Sequence, residues 1–259
     1  MEIDFCEQFV RDWTRYFPGA DLPIVFSYVD DPGGGQPAEA ATGHRCFICD
    51  LGRVRKGVNM IFGQSTLGCS GAKRYLGFSN EAVESLDDFL ACGIPGELEG
   101  LRLKKTPDIA REQRAAVPRF EAPAEYLAAR RIDGLEPGDE PQVAVFFAEP
   151  DVLAALYTLA GYDDARPDAV VAPFGAGCAT IVQYPFQQAG TDQPRAVLGM
   201  FDISARPCVG ANVLTLSVPW KKFVRMAGYM DESFLTTASW ETVRARLPRA
   251  SERAGDADY

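Results

Sequence analysis

The chain has 259 residues, 47% hydrophobic and 24% charged, enough to bury a sizeable core in one large domain or two modest ones. Its 26 basic and 36 acidic residues leave a net charge of −10, which argues against general nucleic-acid binding, because that needs a basic face to displace counterions. No apolar run approaches the roughly 20 residues that span a bilayer, and a single histidine, His44, weakens any site built on several imidazoles.

The first residues, MEIDFCEQFVRDW, are acidic and amphipathic and lack the basic and apolar regions of a signal peptide, so the expected location is the cytoplasm. Phe5, Phe9, Trp13 and Tyr16 recur at three- and four-residue steps and predict a helix over Asp4–Tyr16, stopped by Pro18–Gly19. Leu22–Val29 reads as a strand with Pro23 at its start, and Asp30–Gly43 as a loop rich in proline, glycine and alanine.

Arg45–Val58 places Cys46 and Cys49 one helical turn apart, ahead of the basic residues Arg53, Arg55 and Lys56. The apolar run Val58, Met60, Ile61, Phe62 then reaches Gly63 and the turn Gly68–Cys69–Ser70–Gly71, and a helix-like segment over Ala72–Phe78 comes next. Strand, glycine turn and helix in that order converge backbone N–H groups on a ligand, so the stretch Gly57–Phe78 is the expected centre of a site. Ser79–Ala91 carries Val83, Leu86, Phe89 and Leu90 on one helical face and ends before Gly93–Gly96. From Glu97 to Glu140 charge and proline dominate, with helix-like pieces at Ala110–Ala116 and Ala122–Arg131, and Asp133–Pro141 is the best linker.

The second half reads as strand Val143–Phe147, helix Pro150–Leu159 with proline in its first turn, and strand Ala169–Ala172. Gly175-x-Gly177-Cys178 opens a segment to Phe186; it resembles a phosphate-cradling turn but lacks a third glycine and a P-loop lysine. Strands Ala196–Phe201 and Ala211–Val218 and helices Trp220–Tyr229 and Trp240–Leu247 complete the fold, with a frayed polar tail over 249–259. Both halves contain a strand with an acidic–proline turn, a Phe–Gly strand end and a Gly–Cys turn, so an internal duplication would bring the two Gly–Cys turns to comparable faces of one cleft.

The seven cysteines are an odd number without an export signal, which argues against a disulfide framework and for reduced thiols, metal ligands or reactive groups. Cys46-x-x-Cys49 is the most specific chemical signal: two thiolates at that spacing hold a metal or form a redox pair. A second paired motif, which a structural zinc site would call for, is missing, and iron–sulfur ligation suits the separated Cys69, Cys178 and Cys208 better. Cys6 and Cys92 read as packing residues. Gly68, Gly71, Gly175 and Gly177 with Arg53, Arg55 and Lys73 form a candidate cofactor or small-anion site, and Arg74, Lys221 and Lys222 read as a solvated face. With one histidine and no Gly-x-Ser-x-Gly elbow, a serine–histidine triad finds no support.

The Cys46–Cys49 region, the turn Cys69–Ser70–Gly71–Ala72 leading to Leu76–Gly77–Phe78, and the later strand–helix Val143–Leu159 together resemble the uncharacterised bacterial and archaeal family called domain of unknown function 169, over about Phe5–Leu247. That resemblance carries no settled activity; it implies a cytoplasmic protein, frequent in anaerobes, whose cysteines serve a metal or cofactor. The glycine loop Pro32–Gly35 departs from the family's pattern.

The expected fold is mixed α/β (α+β): one globular domain over 1–248, with halves 1–132 and 142–248 about a central sheet and a linker at 133–141. Three functional readings stay open. One is a thiolate-bound metal or iron–sulfur protein using Cys46, Cys49, Cys69, Cys178 and Cys208, with a redox role. Another is a metal-free small-molecule or anion module, and the third a thiol oxidoreductase using Cys46 and Cys49. A small anionic ligand is the expected partner, with no nucleic acid and no membrane.

Overall fold

In a computed structural model the described residues are 3–31, 33, 35–38, 45–81, 83–117 and 119–247. In chain order the elements are α1 (Ile3–Tyr16), β1 (Ile24–Val29), β2 (Gln36–Pro37), α2 (Phe47–Arg55), β3 (Met60–Phe62), α3 (Ser70–Tyr75) and α4 (Leu86–Leu90). A small hairpin of β4 (Gly93–Ile94) and β5 (Leu98–Glu99) precedes α5 (Pro107–Ala116), β6 (Tyr126–Arg131), β7 (Val143–Ala148) and α6 (Pro150–Ala160). The rest comprises β8 (Val170–Val171), a π turn over Ala179–Gln183, α7 (Tyr184–Ala189), β9 (Ala196–Gly199), β10 (Leu214–Pro219), α8 (Trp220–Gly228) and α9 (Ala238–Arg244).

Eight strands form one mixed sheet in the order β2-β3-β6-β1-β7-β10-β9-β8. The two outer pairs are parallel and every inner pair is antiparallel. Strand side chains alternate between the two faces, so each buried strand feeds both layers. Val25, Ala144, Phe146, Leu216 and Val218 join α1, α6, α8 and α9 on one face. On the other, Phe26, Phe62, Leu127, Val145 and Phe147 meet α2, α3, the π turn and α7. The fold is therefore α+β, a mixed sheet clad with helices on both sides.

From the contact of β1 with β7 outward, one side runs β1, β6, β3, β2 and the other β7, β10, β9, β8. Each outer parallel pair is joined by a helical crossover on the same face: α2 lies between β2 and β3, and the π turn with α7 lies between β8 and β9. The Gly–Cys turns, however, occupy different places in this order. Cys69 comes after β3, beyond its crossover, whereas Cys178 opens the crossover itself. A duplication aligned on the Gly–Cys letters is thus not shown. The segment 133–141 runs from β6 to β7, which flank β1 within the one sheet.

Three elements depart from expectation for physical reasons. Ala122–Arg131, helix-like by its alanine and arginine content, supplies strand β6 instead. Its Leu127 and Ala129 lie buried between β3 and β1, so tertiary pairing overrides propensity. The helix expected over Ser79–Ala91 is confined to α4, because Ser85 at its start holds a left-handed φ of 54°. The segment after Cys178 is a π turn before α7 because Pro185 has no N–H to give; the Tyr184 N–H bonds back to the Ala179 carbonyl, five residues earlier. The loop residues Pro32 and Gly34, His44 and the tail 249–259 lie outside the described residues.

Helix α1 docks through the stripe its spacing predicts. Trp13 stacks on Phe17 at 4.3 Å between ring centroids, meets Phe146 of β7 at 5.1 Å, and donates its indole N–H to the Ala20 carbonyl at 3.3 Å. Trp13→Ala is expected to cost about 3–5 kcal/mol, the usual range for emptying a buried aromatic site. Urea unfolding should show a lower midpoint with an unchanged slope; a shift of under about 1 kcal/mol would mean that α1 is not anchored there.

Candidate cysteine centre

Cys46 ends the approach to α2 and is its N-cap, in extended conformation, with Cys49 one turn into the helix. Buried Phe47, Ile48, Leu51 and Val54 fix the face that α2 lays on the sheet, and the Arg45 side chain donates to the buried Asp50 carboxylate at 2.5 Å. The helix is therefore held at its first turn, where the two cysteines stand.

The other side of the centre comes from the loop after β9. Met200 turns the chain out of the strand with a φ of +69°, a conformation that costs a non-glycine residue on the order of 1–2 kcal/mol. Asp202 then organises the loop. Its Oδ1 accepts from the Ser204 N–H at 3.0 Å and the Ser204 hydroxyl at 2.7 Å, and its backbone carbonyl accepts from the Ala205 and Arg206 N–H groups. The Arg206 guanidinium donates to the carbonyls of Val213, Gly210 and Ala211 and closes the loop around the short turn Arg206–Cys208. Cys208 is thereby delivered to α2, where it forms a disulfide with Cys49, 159 residues away in sequence and with Cα atoms 4.7 Å apart.

Cys46, Cys49 and Cys208 have their Sγ atoms within 4.8 Å of one another. Two further thiols adjoin them. Cys69 is the N-cap of α3, and buried Cys178 opens the π turn; both share the apolar cluster that holds Cys46 and Cys208. Burial pushes the Cys178 thiol well above its ordinary range, and the neighbouring Cys69, Cys46 and Asp202 add to the shift. Burial also raises the Cys46 thiol, with Cys69 and Asp202 acting the same way, while the backbone amides of Cys49 and Ile48 at the helix start oppose it.

Of the five cysteines singled out in the sequence as ligands, Cys46, Cys49 and Cys208 come together, and Cys69 and Cys178 lie on the same face of the sheet outside that group. The remaining two cysteines lie elsewhere: Cys6 is buried under the opposite face of the sheet, and Cys92 is exposed beside the β4–β5 hairpin, so only Cys6 packs. Cys49 and Cys208 are bonded to each other, against the expectation of reduced thiols at these two positions. The bonded partner of Cys49 is Cys208, which corrects the redox pair read at Cys46 and Cys49.

The glycine and basic residues read as an anion site are placed differently. The Gly177 N–H donates to Asp202 Oδ2 at 3.1 Å, so the protein's own carboxylate occupies that turn. Glycine is needed at 177 for close packing: a Cβ there would stand 3.0 Å from Ala205 Cβ and 3.2 Å from Met200 Sδ. Gly175 is packed on the Tyr184 ring, Gly68 precedes Cys69, and Gly71 lies in the first turn of α3. Arg55 grips Asp21 through two N–H groups at 2.6 and 3.1 Å and lies over the Phe147 ring. Arg53 reaches the Gln36 side chain at 3.4 Å, and Lys73 lies in the last turn of α3. Asp202 and Arg206 are functional candidates that sequence reasoning missed. The signal available was Asp202-x-Ser204, the Asx-turn pattern, directly after a strand.

The sequence model of the family DUF169, described as Uncharacterised ArCR, matches residues 23–228, a span that holds all five cysteines of the centre. No curated protein and no solved structure matches the chain.

Thiol alkylation should obey this placement. In the native protein, iodoacetamide at mildly alkaline pH is expected to label exposed Cys92 first, with buried Cys6 and Cys178 reacting only after denaturant is added. Peptide mapping by mass spectrometry reads the order; prompt native labelling of Cys178 would place that thiol elsewhere.

Proposed function

The chain belongs to the DUF169 family, and we propose that it is a thiolate metal-binding protein holding a single soft or borderline cation such as Zn²⁺. The observation that carries this reading is the convergence of three sulfur atoms, from segments 159 residues apart, within 4.8 Å. Four thiolates at a Zn–S distance of about 2.3 Å in a tetrahedron stand roughly 3.8 Å apart, a spacing that Cys49 and Cys208, bonded to each other here, would reach only after reduction. An iron–sulfur cluster is several atoms across and spreads its thiolates wider. The compactness of the three sulfurs is the ground for proposing one ion.

In the reduced protein Cys46, Cys49 and Cys208 supply three donors. Cys69 suits the fourth position, because it adjoins Cys46 and is half-buried, whereas the deeply buried Cys178 is pushed toward the neutral thiol. Asp202 lies beside the donors, and its hydrogen bonds from Gly177 and Ser204 hold it in place as a supporting carboxylate. Because the donors come from both halves of the sheet, an ion here ties α2 to the loop after β9.

Anaerobically reduced protein titrated with Co²⁺ should bind one equivalent and develop thiolate-to-metal charge-transfer absorption, with Zn²⁺ displacing the cobalt. Cys46→Ser and Cys69→Ser should each weaken binding by at least about tenfold, the scale on which even supporting residues act, while Cys92→Ser leaves it unchanged. Acid-labile sulfide with iron in the purified protein would replace the single ion with a cluster. No metal uptake by fully reduced protein would sink the reading.

A further inference from the structure

The Cys49–Cys208 bond uses two of the three sulfurs that converge, and a disulfide sulfur has surrendered the thiolate charge that binds a metal ion. We infer that the centre is redox-gated: the Cys49–Cys208 disulfide and the metal-bound thiolates are alternative states of the same atoms, so oxidation ejects the ion and reduction readmits it. This rests on the metal-binding reading above and adds to it the control of occupancy.

The geometry sets the route. Cys49 is the exposed member of the three, and Cys46 and Cys208 are half-buried, so an incoming reagent meets Cys49 first. With a low-molecular-weight disulfide RSSR as oxidant, the Cys49 thiolate attacks one of its sulfurs. The Cys49–SR bond forms, the R–S–S–R bond breaks, and one RS⁻ leaves. The Cys208 thiolate then attacks Cys49 Sγ and expels the second RS⁻. Two electrons pass from the protein thiolates to RSSR, and the ion departs with its charge unchanged. Cys46 and Cys69 are left as two thiols, half of the donor set.

The fold allows both states to keep the same frame. In either one a link at this point joins α2 to the Arg206–Cys208 turn. That turn is held by the Arg206 guanidinium and by Asp202, with no part taken by the sulfurs. Gating thus changes occupancy without asking the sheet to move.

Cys46 also lies within reach of Cys49, so Cys46–Cys49 is the competing product of the second step. The direct test loads reduced full-length protein with Zn²⁺, removes the excess, and titrates it with glutathione disulfide. A chromophoric chelator tracks zinc release, and peptide mass mapping tracks the bond. The expected result is one zinc lost for each Cys49–Cys208 bond formed, with full re-uptake after reduction and an unchanged far-ultraviolet circular dichroism spectrum. Cys208→Ser should form no such bond, and any zinc it loses to the oxidant should accompany Cys46–Cys49 formation alone. Three results would overturn the gate. Zinc retained while the Cys49–Cys208 bond forms, or release with only Cys46–Cys49 formed, removes it and leaves the metal reading intact. Failure of the reduced protein to take up zinc at all removes both.

Discussion

The short antiparallel contact between β1 and β7 is the constraint on which the rest depends. It pairs only Ile24 with Val145, Val25 with Ala144, and Phe26 with Val143, yet it is the sole ladder joining the two four-stranded halves of the sheet among the described residues. Those six side chains go alternately to the two faces, so the same contact seats α1 and α6 above and α2 and α7 below. Three of the five centre cysteines, Cys46, Cys49 and Cys69, come from one side of this seam. Cys178 and Cys208 come from the other. A shift of one residue in the β1–β7 register would turn every side chain of one half to the wrong face and carry the sulfurs apart.

A link between Cys49 and Cys208 acts on that weak point. Closing a loop of 159 residues removes on the order of 5 kcal/mol of chain entropy from the unfolded state in the simple loop-closure treatment. Whole domains are stable by only about 5–15 kcal/mol, so the tie is large on that scale. A bound ion closes the same loop through the same segments. Its contribution varies with ligand concentration, whereas that of the disulfide varies with the redox poise. The two linkages are interchangeable for architecture and opposite for chemistry.

How much of this was legible in the sequence depends on the range of the interaction. Helix α1 was readable because Phe9, Trp13 and Tyr16 repeat at helical spacing and all lie buried on one face. Strand β6 was not, because alanine and arginine favour helix locally and only its neighbours β3 and β1 make it a strand. The family resemblance stood on the Cys69–Phe78 turn, which lies inside the matched span. The cysteines were legible as a set by type, yet their pairing was not, since nothing local to Cys49 points to a partner 159 residues on. The Gly–Cys echo does not by itself show a duplication, for a related reason. Matching letters at Cys69 and Cys178 fall before different elements, and topology, not composition, decides which turns correspond.

The charge around the centre bears on the sign of ligand proposed for it. The glycine turn at Gly177, likened in sequence to a phosphate cradle, has its N–H directed to a carboxylate of the protein itself. On α2, Arg55 is committed to Asp21 and packed on Phe147, and Arg53 reaches the Gln36 side chain. Asp202 lies beside the cysteines; burial is the main cause of the raised Cys46 and Cys178 thiols, and the neighbouring thiols and Asp202 add a smaller repulsion. An anion would add to that repulsion. A cation relieves it, and does so most where several sulfurs can share one ion. Cysteines gathered this closely have two ways to avoid standing as free thiolates, a shared ion or a disulfide, and that choice is the ground for the proposed switch.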